Sequence, residues 1–114
     1  MKFMLLVCYG GDAPHSAAVP DEPDGMSIDD WVAEMDGRGI RLDGEMLRPP
    51  DDATTVRVRG GELLLVDGPF AETKEVLCGY DLIDCADLDE AIEVASKHPM
   101  ARSGMIEVRP LWID

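Results

Sequence analysis

The run Lys2-Phe3-Met4-Leu5-Leu6-Val7-Cys8-Tyr9 is apolar on both of its alternating sets. Phe3, Leu5 and Val7 fall on one side, Met4, Leu6 and Cys8 on the other. Successive side chains of a strand point to opposite faces, so a strand of this composition has to be covered on both. That demand limits the chain to a layered fold with this strand near its centre. The run is far shorter than the ~20 residues of a membrane-spanning helix. A single Lys2, with no small-residue cleavage site close behind, makes a poor secretory signal, and the cytoplasm is the expected location.

From Gly10 to Gly25 the chain is rich in Gly, Pro, Asp and Ala and reads as a long loop of the kind that often carries function. A helix starts at Ser27, which with Asp30 forms a capping-box-like pair. Ile28, Trp31, Val32 and Met35 then make one apolar stripe, and Gly37 and Gly39 end it. Ile40, Leu42, Gly44 and Met46 alternate with Arg41, Asp43 and Glu45 as a half-buried strand. Thr54 to Arg59 and Glu62 to Val66 flank Gly60-Gly61, a strong hairpin signal because primed turns need positive φ. Val76 to Cys85 is another strand, with Gly79 marking a bulge or a close backbone approach. Asp87 caps a second helix with Glu90. Its predicted stripe is Leu88, Ala91, Ile92 and Ala95, with Lys97 and His98 as charges at its C-terminal end, and Pro99 stops it. Met105 to Trp112 is the last strand.

The order β-α-β-(ββ)-β-α-β predicts an α+β domain of ferredoxin-like βαββαβ plan with an inserted β-hairpin, spanning residues 1–114. Both helices then cover one face of an antiparallel sheet. The second apolar set of the first strand lies on the other face, which calls for a homodimer through the open sheet face.

Composition narrows the partners. Net charge is −14, from 24 acidic against 10 basic residues, so nucleic acid and anionic lipid are excluded as partners. Apolar residues make up 46% of the chain, too many for a disordered one. Cys8, Cys78 and Cys85 are odd in number and lack CxxC spacing, which argues against a disulfide framework or zinc site. There is no phosphate-binding glycine loop, HExxH, histidine cluster or EF-hand pattern, and no cofactor or metal is expected.

The densest polar segment is Asp67 to Glu75, with Asp67, Glu72, Lys74 and Glu75 beside the rigid Gly68-Pro69. A turn-anchored carboxylate with a lysine in reach can act as a general acid/base, and it can equally be an Asx-type turn. Glu45 and Arg48, near the end of the second strand, and Glu107 and Arg109 on the last strand are candidates for one cleft or for cross-strand pairs. His15, in the long loop, could close over a site as an acid or base near neutral pH.

The strings Asp67-Gly68-Pro69-Phe70-Ala71-Glu72-Thr73-Lys74-Glu75, Gly79-Tyr80, Leu88-Asp89-Glu90-Ala91 and Glu107-Val108-Arg109-Pro110 resemble the DGPF-domain branch of the YCII-related family. The resemblance implies a dimeric α/β-barrel assembly of ferredoxin-like subunits. In the wider family it implies enzymes acting on small ring compounds through a His and Asp pair. Asp67 carries over within the motif, and His15 is the histidine near the first helix. Glu45, Arg48, Glu72, Lys74, Glu75 and Tyr80 are then expected to contact a small-molecule substrate. The alternative is a non-catalytic regulatory module linked to a sigma-factor system, meeting a basic partner through the acidic surface.

Overall fold

The computed structural model describes residues 1–10, 25–68 and 75–112. In chain order the elements are β1 (Lys2–Gly10), α1 (Ile28–Gly37), β2 (Arg41–Met46), a 3-10 turn (Pro50–Asp52), β3 (Thr54–Arg59), β4 (Glu62–Asp67), β5 (Glu75–Asp84), α2 (Leu88–Ser96), α3 (Met100–Ser103) and β6 (Met105–Pro110). The main sheet has the order β2-β5-β1-β6, with every neighbouring pair antiparallel. With the β3–β4 hairpin set aside, this α+β arrangement is compatible with a ferredoxin-like plan. Among the described residues, no helix is long and apolar enough to cross a membrane.

The first strand takes the central place its composition demands. Phe3, Leu5, Val7 and Tyr9 are buried on the helix side, and Met4, Leu6 and Cys8 are half-buried on the other. The core under the helices is built from Phe3, Leu5, Trp31, Met35, Ile83 and Val94, all almost fully enclosed. Both helices start on capping side chains. Asp30 N–H donates to Ser27 Oγ at 3.1 Å, and Glu90 N–H donates to Asp87 Oδ1 at 2.9 Å. The Glu90 carboxylate in turn accepts from Ala86 N–H, completing the second cap. An ion-pair network of Glu34, Arg38, Glu93 and Lys97 ties the two helices together on their outer side.

Three expectations need correction. The apolar stripe of α2 is Ala91, Val94 and Ala95, while Leu88 and Ile92 are half exposed. In β2, pairing with β5 shifts between Arg41 and Asp43. This irregularity breaks the expected alternation, so Leu42 and Met46 are exposed while Gly44 is buried. Pro99 does end α2, but the chain re-enters a short helical turn as α3 instead of passing straight into β6.

The glycine signals at the hairpin and in β5 correspond to real geometry. Gly60 and Gly61 have φ of 58° and 79°, the left-handed pair of a primed turn. In β5 the register against β1 shifts between Val7 and Cys8, opposite Gly79, and a Cβ on Gly79 would come 3.0 Å from the Glu45 carbonyl oxygen. Cys8, Cys78 and Cys85 are free thiols.

Trp31 is the joint of the core. Its ring is fully buried, and its indole N–H donates to the Val94 carbonyl at 3.0 Å, linking α1 to α2. Trp31→Ala should lower stability by about 3–5 kcal/mol. Trp31→Phe, which keeps much of the packing and orphans that carbonyl, should cost about 1–3 kcal/mol. Urea unfolding midpoints of the two variants check both figures.

Candidate functional site

Asp81 lies on β5 and pairs across the ladder with Leu5, which places its side chain on the helix side of the sheet. His98 follows the end of α2, one turn beyond Val94, and so continues the buried stripe of that helix toward the sheet. The two meet under the helices, with side chains 9% and 4% exposed. His98 Nε2 stands 3.9 Å from Asp81 Oδ2, too far for a direct hydrogen bond. His98 is therefore no surface charge at a helix end, because the helix turns it inward.

Each member of the pair is fixed from behind. His98 Nδ1 accepts a hydrogen bond from Met100 N–H at 3.0 Å, a contact made by the tight entry into α3. With Nδ1 acting as acceptor, the neutral ring carries its proton on Nε2, directed at Asp81. Trp31 packs against the imidazole, its ring centroid 4.7 Å away at an interplanar angle of 64°. On the other side, Arg41 Nε donates to Asp81 Oδ1 at 3.0 Å and Arg41 Nη2 donates to the Gly44 carbonyl at 3.0 Å. Gly44 is required here. A Cβ would overlap the Asp81 carboxylate and lie 2.7 Å from Arg41 Nη2.

Burial decides the protonation chemistry. It raises the Asp81 carboxyl from 3.8 to about 6, outweighing the Arg41 hydrogen bond that pulls it down. Burial likewise lowers His98 from 6.5 to about 4. Near neutral pH the pair is thus an ionised Asp81 facing a neutral, hydrogen-bond-donating His98. An acid whose affinity for protons sits that close to neutrality suits general base work.

The pair opens into a cleft of about 240 Å³ whose lining includes Val7, Cys78 and Met100 together with Glu45, Met46 and Tyr80. Among the described residues no group of three or more His, Cys, Asp or Glu is placed to hold a metal ion. Of the residues singled out in the sequence, Glu45 and Tyr80 line this cleft. Pleating carries the Tyr80 side chain toward the opposite face, where the Asp43 carboxylate pushes its phenol above the ordinary value. Arg48 and Glu75 are exposed and do not line the cleft, and Asp67 is exposed at the end of β4, paired with Thr54 in the hairpin. Glu107 and Arg109 form an ion pair along β6, away from the cleft. His15, Glu72 and Lys74 lie outside the described residues. Asp81, His98 and Arg41 escaped the sequence reading. The available signal was spacing, since His98 is seven residues after Ala91 and four after Val94, on the stripe that is buried.

Comparison with known proteins gives a consistent outcome. A family model described as the YCII-related domain matches residues 1–113. The protein named "Uncharacterized protein R00369" from Rhizobium meliloti (strain 1021) is 52% identical over 110 residues, covering 93% of this chain and 89% of that protein.

Titration tests the site. His98 should stay neutral down to about pH 4 with its proton on Nε2, and Asp81 should titrate near 6, both readable by NMR. A titration of His98 itself near 6.5 would contradict the buried pair. The signs of the stability linkage are opposite. Asp81 holds its proton more tightly when folded, so its contribution falls as pH rises from 3.8 to about 6. His98 resists protonation when folded, so its contribution grows as pH rises from about 4 to 6.5. In urea unfolding, the cost of His98→Gln should therefore increase over that range, and the cost of Asp81→Asn should shrink.

Proposed function

We propose, since this chain belongs to the YCII-related domain family, that its cleft takes up a small uncharged molecule and moves a proton on it. The observation that carries this reading is the enclosed Asp81–His98 pair, an acceptor and a donor 3.9 Å apart in a cleft of about 240 Å³. Such a space holds roughly eight water-sized groups, which fits a small ring compound and little more. Asp81 acts as the general base. His98 Nε2–H donates a hydrogen bond to the oxygen on which negative charge develops, and Arg41 keeps the carboxylate in place.

Asp81 and His98 thereby take the roles expected, from the sequence, of Asp67 and His15. The ligand's charge class follows from the surroundings. Arg41 is already engaged by Asp81 and Gly44, and the chain carries −14, so an anion has no cation to meet in the described cleft. Association of two copies over the open face of the sheet, in a dimeric α/β-barrel, belongs to the same proposal. Met4, Leu6, Leu77 and Leu82 share that face, which no helix covers among the described residues. The sigma-factor-linked regulatory module is the reading left if no ligand binds.

A thermal-shift screen of small cyclic ketones, enols and phenols tests the reading. A ligand present at about 100 times its Kd should add about 2.7 kcal/mol of stability. Its effect should vanish in Asp81→Asn and His98→Gln and persist in Asp67→Ala. Turnover of a substrate found this way should fall about 10²–10⁴-fold in Asp81→Asn. Binding lost on Asp67→Ala but kept in Asp81→Asn would move the site to the DGPF segment and sink this assignment.

A further inference from the structure

Among the described residues, the β3–β4 hairpin forms a two-stranded sheet of its own, with no ladder pairing to the four-stranded sheet. A two-stranded hairpin alone is marginally stable at best in water, so this one needs a surface to lie against. Its cross-strand pairs Val56–Leu65 and Val58–Leu63 set four apolar side chains on one face. All four are between 57% and 62% exposed. The radius of gyration, 15.9 Å, exceeds the ~13 Å of a compact chain of this length, in keeping with an element that stands off the body.

The same molecule carries a second apolar surface that lacks a layer among the described residues. On the open face of the main sheet, Leu77 and Met105 flank Cys8 and are 43% and 45% exposed. Exposed apolar surfaces of this kind mark sites of protein–protein contact.

Charge selects what covers them. The chain as a whole carries −14, yet in the hairpin Arg57 and Arg59 balance Glu62 and Asp67. Two copies repel each other over most of their surfaces and can approach where the charge is neutral. A basic protein would be drawn to the acidic body instead of to a neutral apolar ribbon.

We infer that the β3–β4 hairpin is an arm whose Val56, Val58, Leu63 and Leu65 face packs on the open sheet face of a second copy, the two copies clasping each other about a twofold axis. The inference rests on the association proposed above and supplies its clasp. Sedimentation velocity on the full chain, the V58D/L63D variant and the L77D variant tests it. The full chain should be a dimer at micromolar concentration. V58D/L63D should dissociate at least ~30-fold more readily, with far-UV circular dichroism and the Asp81 and His98 NMR signals of the body unchanged. If aspartates disturb the hairpin itself, V58T/L63T keeps β-forming side chains and should weaken association in the same direction. Unchanged dimer affinity in V58D/L63D and V58T/L63T, with L77D falling apart, overturns the arm and leaves the sheet-face association standing. A monomeric full chain overturns both.

Discussion

A carboxylate taken out of water costs several kcal/mol unless something answers its charge, and much of the described structure is arranged around that demand at Asp81. Arg41 answers it from β2, and the register irregularity between Arg41 and Asp43 belongs to the same stretch of strand. The guanidinium also needs the space that a side chain at Gly44 would fill. The answer is incomplete. One carboxylate oxygen is held by Arg41 while the other faces an uncharged imidazole, and the group stays raised to about 6. A fully satisfied ion pair would be inert near neutral pH, and a fully unpaired one would be protonated. The intermediate case leaves a base that is ionised and accessible from a cleft.

The imidazole has the complementary problem and a different solution. Among the described residues, no charged group pairs with it at hydrogen-bond distance, so it stays neutral, and a backbone N–H from α3 takes up its free lone pair. That short helix exists because Pro99 ends α2 and then permits the chain to turn again at once. The helix packing that buries Trp31 and Val94 thus also sets which nitrogen of His98 carries the proton.

Most of the architecture was legible in the sequence because it rests on short-range rules. The two-sided apolar pattern of β1, the Ser27 and Asp87 caps and the Gly60-Gly61 turn each declare themselves within a few residues. The cleft was not legible, for a physical reason. Asp81 and His98 are 17 positions apart, and each follows an irregularity in the regular pattern: the bulge beside Gly79 and the tight turn after α2. On α2 the predicted stripe placed Ala91 and Ala95 on the buried face, as they are, but added the more hydrophobic Leu88 and Ile92 and left out Val94. The sheet accepts small residues at close approach, and the large ones are left outside. Among the described residues, Glu45 and Tyr80 are the sequence candidates that line the cleft.

The contact between Trp31 and His98 also makes the site visible to light. The chain has two tryptophans, one enclosed against the imidazole and the other, Trp112, 95% exposed. An aqueous quencher such as iodide silences the outer indole and leaves the emission of the inner one. A protonated imidazole withdraws excitation from an adjoining indole far better than a neutral one. Trp31 fluorescence is therefore an optical gauge of the charge on His98, built into the unlabelled protein and sensitive to whatever enters beside it.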